Sequence, residues 1–218
     1  MALNKITLTR PRFANMLIQI EGVTPYLPGK IPDYALDQIE AARRGEGLKV
    51  KRTISPEEER DSKLHLVDPE QGIKDGNYGI PIASFYNATK QAANKDYWPG
   101  GIDGKRWGIA VQMIGKVLPL KFKEKKKRSD TVIQVRVPKL DYRWEFVGWS
   151  VEVPVRFNTA LVTQDTVLAV FDMAGTLGIG KWRPSCPKGG TYGTFKVISA
   201  TPLKEEMADN VAESSEVK

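Results

Sequence analysis

The sequence predicts one α+β domain, and three observations predict it. Residues 15–23 alternate, with Met16, Ile18 and Ile20 on one side and Leu17, Gln19 and Glu21 on the other, which is the period of a strand. Residues 83–93 carry Phe85, Ala88 and Ala92 on one helical face. The last third reads strand, helix, strand: Val151, Val153, Val155 and Phe157 alternate, Val167, Phe171 and Ala174 follow at helical spacing, and residues 192–200 return to strand. A crossover of that kind puts both strands in one sheet with the helix packed on its face.

The remaining elements fall into place around these. Residues 24–62 turn polar and proline-rich and read as an insertion, with a helix marked by Ala35, Leu36, Ile39 and Ala42 and a second opened by Ser55 and Pro56. The core resumes at 64–67, turns at Asp75, Gly76 and Asn77, and passes through 78–81 into the helix of 83–93, for which Ser84 is the expected cap. Trp98, Pro99, Gly100 and Gly101 break the chain, and 107–120 returns to strand-like apolar content. Ile133, Val135 and Val137, then Leu140, Tyr142, Trp144 and Phe146, alternate as strands do. Thr163 is placed to cap the helix of 164–177.

Composition narrows the function classes. The 218 residues are 41% hydrophobic, ample for a packed core, yet no run approaches the eighteen or more apolar residues of a membrane span, and residues 1–12 lack the apolar centre of a secretory signal. A cytoplasmic protein with no membrane partner is expected. One cysteine, Cys186, excludes an intramolecular disulfide and a cysteine zinc cluster within one chain, and suits a reducing compartment. The net charge is +7; residues 203–218 set two lysines against five carboxylates, so the rest carries +10 above an acidic tail expected to be mobile. That balance favours a polyanionic partner.

Two segments concentrate the positive charge. Between helix and final strand, residues 175–193 hold six glycines, among them Gly178, Gly180 and Gly190, with Lys181, Arg183 and Lys188 interspersed and Trp182 and Tyr192 beside them. Glycine backbone exposes N–H groups and approaches phosphate closely, while lysine and arginine supply charge and an indole supplies a stacking surface. No Gly-Lys-Ser/Thr is present, so this is not a Walker A loop, and it follows a helix rather than a strand, so it is not a dinucleotide fingerprint. The same glycines would also serve a plain helix-to-strand connection as caps and turns. The second segment, 121–128, packs six cations around one glutamate and includes Lys125, Lys126, Lys127 and Arg128; it reads either as an arm gripping phosphates or as a solvated loop tip.

Catalytic signals are weaker. His65 is the sole histidine and reads as a partly buried strand residue, Asp68, Asp75, Asp141 and Asp172 form no close acidic cluster, and neither a metal nor any other cofactor is expected.

Two segments together resemble the RAMP superfamily, the RNA-binding subunits of CRISPR effector complexes. The first is Ile80, Pro81, Ile82, Ala83, Ser84 and Phe85, continuing into Ala88, Lys90 and Ala92; the second runs from Gly178, Ile179, Gly180, Lys181, Trp182 and Arg183 to Gly190, Thr191, Tyr192 and Gly193. The resemblance implies a ferredoxin-like, RRM-like antiparallel sheet with helices on one face, here at 1–202, with the 24–62 insertion, a basic hairpin arm at 119–139 and the tail at 203–218. It implies a non-enzymatic protein that binds single-stranded RNA or DNA through its backbone and assembles side by side along it. The setting would be a CRISPR effector or a phage nucleoprotein filament, as a homo-oligomer or within a larger complex. Lys181, Arg183, Lys188 and Lys90 would meet phosphate, Trp182 would stack, and Lys125 to Arg128 would clamp. A protein-interaction or virion-assembly module with a basic surface is the alternative expectation.

Overall fold

The computed structural model describes residues 12–46, 54–94, 102–134 and 137–203. In chain order the elements are β1 (Phe13–Gly22), α1 (Asp33–Arg43), α2 (Pro56–Ser62), β2 (His65–Leu66), β3 (Tyr78–Pro81), α3 (Ile82–Ala92), α4 (Gly104–Ala110), β4 (Val111–Met113), β5 (Val117–Pro119), β6 (Glu124–Gln134), β7 (Val137–Val147), β8 (Ser150–Asn158), α5 (Gln164–Leu177) and β9 (Phe195–Leu203).

The main sheet has the order β4-β8-β1-β9, every neighbouring pair antiparallel. Taken without the insertions, β1, α3, β4, β8, α5 and β9 form a β-α-β-β-α-β chain whose last strand lies beside its first, and whose third separates the first from the second. This is the ferredoxin-like arrangement. The alternation in β1 and β8 drives it: Met16, Ile18 and Ile20 and Val151, Val153 and Val155 are buried, and α5 covers them with Val167, Val170, Phe171 and Ala174. Helix and sheet touch most closely at Gly175, where a Cβ would fall 1.9 Å from the carbonyl oxygen of Phe195. Only glycine permits that approach.

The opposite face of the sheet is mixed: Leu17 stands beside the buried Pro154, and polar residues flank the pair. Gln19 stands beside Glu152 in the β1/β8 register, Glu21 beside Ser150, and the centre of this face has no aromatic ring. It therefore lacks the stacked aromatics by which RRM sheets hold bases.

Two smaller sheets complete the domain: β2-β3-β5, and the long β6/β7 hairpin. Part of the 24–62 insertion braces that hairpin. Ser55 and Glu58 close a capping box on α2, with bonds of 3.1 and 2.9 Å. The helix then lies along β7: Asp61 accepts from the Trp144 indole at 2.7 Å, and Arg60 covers the rings of Tyr142 and Trp144. Lys63, 6% exposed, pairs with Asp141 at 2.6 Å and with Glu59, and donates to the Tyr142 carbonyl. Burial pushes the Asp141 carboxyl up, but Lys63 and Arg143 outweigh it and hold it below the usual range.

Several local readings change. Ser84 caps nothing: α3 starts at Ile82 directly out of β3, and the Ile82 N–H bonds the Lys116 carbonyl at 2.9 Å. Trp107 lies on α4, not on a strand, because a short apolar run does not distinguish the two. The hairpin strands are Glu124–Gln134 and Val137–Val147 rather than 119–139, so residues 124–128 of the basic run lie on strand β6 and 121–123 lead into it. The last strand starts at Phe195, since Tyr192 still belongs to the loop. Thr163 does cap α5, accepting from Thr166 N–H at 3.2 Å, and Trp144 on β7 and Trp149 between β7 and β8 are both buried. The expected breaks at 98–101 and the acidic tail at 204–218 lie outside the described residues.

Candidate nucleic-acid interface

The glycine-rich loop is a folded object with its own hydrogen bonds. The Ile179 N–H bonds the Gly193 carbonyl and the Lys181 N–H the Leu27 carbonyl, each at 2.9 Å, while the Gly193 N–H bonds the Pro25 carbonyl and the Tyr192 N–H the Trp182 carbonyl. Gly178 and Gly180 sit at φ +70 and +77°, and a Cβ on Gly190 would fall 1.9 Å from the Trp182 carbonyl. Arg183 turns back into the loop, donating to the Gly180 carbonyl and the Ser185 hydroxyl at 3.0 Å each. Its first task is thus to brace the turn. Lys181 and Lys188 are exposed and have no ion pair among the described residues.

Trp182 is held at φ +54°, a left-handed conformation that costs a non-glycine residue about 1–2 kcal/mol. It is half-buried, and its indole nitrogen is buried without a hydrogen-bond partner among the described residues.

The loop forms one wall of an open cleft of about 360 Å³. Gly178 to Lys181 and Arg183 line this side, the face of α3 carrying Ser84, Asn87, Ala88 and Gln91 lines the other, and Tyr26, Gly29 and His65 close the floor. Those α3 positions recur at three and four residues, so they share one helix face. Two segments singled out separately in the sequence thus meet across a single groove. Lys90 does not join them: it lies on the next face of α3, over the Tyr86 ring and against Gly104.

The hairpin cations are placed differently. The Lys125 ammonium sits over the rings of Tyr78 and Trp144 at 4.6 and 4.5 Å, and bonds the Tyr78 hydroxyl. Lys126 pairs with Glu124 and Lys127 with Glu57, each at 3.0 Å. Arg128 makes two bonds to Asp130, one to Glu145 and one to the Tyr192 hydroxyl, and stacks on the Tyr192 ring. The bond to Asp130 above all raises its pKa further. Arg128 and Tyr192 thereby tie the hairpin root to the end of the glycine loop.

Sequence reasoning missed Asn87, Gln91 and His65 as lining residues. Asn87 and Gln91 are legible in hindsight, as the polar positions on a helix face beginning at Ser84. For His65 no local signal exists, because the β2/β3 pairing of His65 with Gly79 sets it beside the start of α3. Among the described residues no group of three His, Cys, Asp or Glu side chains could hold a metal ion, and no helix is long and apolar enough to cross a membrane.

Fold and site together define a ferredoxin-like α+β domain with a basic, loop-walled cleft. No protein-family model matches the chain, and no curated protein matches it in sequence. A solved structure similar to it is the cryo-EM structure of a type III-B Cmr-beta bound to cognate target RNA, with a TM-score of 0.49 and 9% identity. The match covers 88% of this chain and 61% of that one, so the chain spans less than two thirds of its neighbour's length.

Proposed function

We propose that this chain binds single-stranded RNA or DNA through its sugar-phosphate backbone in the cleft between the glycine-rich loop and α3, without cutting it. One observation carries the reading: the loop and the start of α3, about ninety residues apart in sequence, converge on one open groove, with Lys181 at its edge and amide donors opposite. Lys181 and Lys188 supply charge; Asn87 and Gln91 carry side-chain amides and Ser84 a hydroxyl for phosphate and ribose oxygens. An RNA strand offers 2′-hydroxyls that DNA lacks, and the same polar face of α3 is suited to test for them. Copies would sit side by side along the strand, as in the backbone of a CRISPR effector or in a phage nucleoprotein filament.

Fluorescence polarisation with labelled oligo-uridine and oligo-thymidine tests the proposal. Affinity should fall with salt by about 0.7 log units per log unit for each phosphate neutralised. Lys181→Ala should weaken binding and reduce that slope. Binding that is insensitive to salt and to Lys181→Ala would reject the reading.

Exposed apolar side chains support a second one, a protein-interaction or virion-assembly module. Ile133 and Leu140 near the hairpin end are 69% and 56% exposed, and Ile31 and Ile39 beside and on α1 are 53% and 47% exposed. Light scattering separates the two: assembly unaffected by nuclease favours the module.

A further inference from the structure

His65 faces the cleft without a partner. Its ring makes no hydrogen bond and no ion pair among the described residues, although it lines the groove floor with Lys181 and Arg183. Strand pairing fixes it there, since β2 is held to β3 and β3 runs straight into α3. Both ring nitrogens are hydrogen-bonding groups, and a half-buried imidazole lining an open cleft keeps them available to a ligand.

Burial and one neighbouring charge both disfavour the protonated ring. On the groove side stand Lys181 and Arg183, with the buried Tyr26 hydroxyl. On the other side His65 also borders a second cavity, lined by Lys30 and by Asp33, Glu58 and Asp61. Burial lowers the pKa of the imidazole below its ordinary 6.5, and Lys30 lowers it further. Among the described residues, neither the carboxylates nor any other group bonds the ring to offset this.

We infer that His65 is a binding residue of the cleft: neutral in the free protein, it takes up a proton from solvent when a phosphodiester settles beside it, and then donates an N–H to a phosphate oxygen. This rests on the single-strand reading. A phosphate would supply a negative charge that the cleft lining lacks, and would also offset the repulsion from Lys30. The pKa of His65 is then higher in the complex than in the free protein. By linkage, affinity rises as pH falls from the bound value towards the free one, by up to tenfold per pH unit.

The test is titration of labelled oligo-uridine and oligo-thymidine between about pH 8 and 5.5, where histidine alone among unperturbed side chains changes charge. Calorimetry in buffers of different ionisation enthalpy measures the protons taken up by the wild type, independently of any variant. Expected results are tighter binding at acid pH, net proton uptake, and loss of both in His65→Gln. Lys181→Ala should bind more weakly at every pH while keeping the pH slope. Salt-dependent, Lys181-dependent binding with no proton uptake, or with a slope that His65→Gln retains, would overturn the inference and leave the single-strand reading standing. Absence of binding at every pH would overturn both.

Discussion

The hairpin root and the glycine-rich loop carry similar charge in sequence, yet the fold uses that charge in opposite ways. In the hairpin each of the four cations from Lys125 to Arg128 has a carboxylate within 3.7 Å, contributed by Asp75, Glu124, Glu57, Asp130 and Glu145. In the loop Lys181 and Lys188 have none among the described residues, and the backbone beneath them is fixed by its own bonds. A dense basic run therefore became part of a cross-braced wall, while a sparser one became the accessible edge of a groove. What decides is the company each charge keeps across the sheet, not the number of charges in a row.

Breaking the braced side should have the largest effect. Lys63→Met removes the buried ammonium that bridges Glu59 and Asp141, leaving Asp141 with Arg143 alone, and should cost about 3 kcal/mol of unfolding free energy in a urea titration. Arg128→Gln comes next. It leaves Asp130 and Glu145 short of a donor and releases Tyr192, with an expected loss of about 1–3 kcal/mol. Its oligonucleotide affinity should fall as well, because the loop loses its anchor to the hairpin.

On the open side, Lys181→Ala should leave the melting temperature within error and weaken single-strand binding by about fivefold at low salt, equivalent to roughly 1 kcal/mol. Lys126→Ala with Lys127→Ala sharpens the contrast from the other direction. These two pairs are half-exposed surface bridges, so stability should change by less than about 1 kcal/mol. Affinity should change less than with Lys181→Ala. A larger loss of binding in that double variant than in Lys181→Ala would reverse the comparison.

Acid unfolding offers a further check on the braced side. The folded-state pKa of Asp141 is depressed from 3.8, so its contribution is complete above about pH 4. It is lost as pH falls through the lowered value. A pH series of urea midpoints should show this loss in the wild type and a flatter profile in Asp141→Asn.

Much of the fold was legible from local sequence. Met16, Ile18 and Ile20 named the core face of β1, Val151 to Phe157 did the same for β8, and Ser55 and Thr163 named two helix starts, because periodicity and capping act within a few residues. Where the sequence reading failed, the cause was not local. Ser84 lost its expected cap because α3 emerges directly from β3, with a backbone bond to Lys116. Trp107 turned out helical because its indole is held by Thr89 and its ring packs near Phe171, both far along the chain.

The candidate site divides in the same way. The amino-acid sequence by itself determined the alternating strands, the α+β order and the positions of Gly178, Gly180, Lys181 and the start of α3, since each depends on residues adjacent in the chain. Only the tertiary structure decided that this loop and this helix face one another, that Arg128 answers to Glu145 and Tyr192, and that His65 lines the groove with no partner among the described residues. Electrostatic partners and groove walls are set by distance through space, and strand pairing brings together residues that the sequence keeps tens of positions apart.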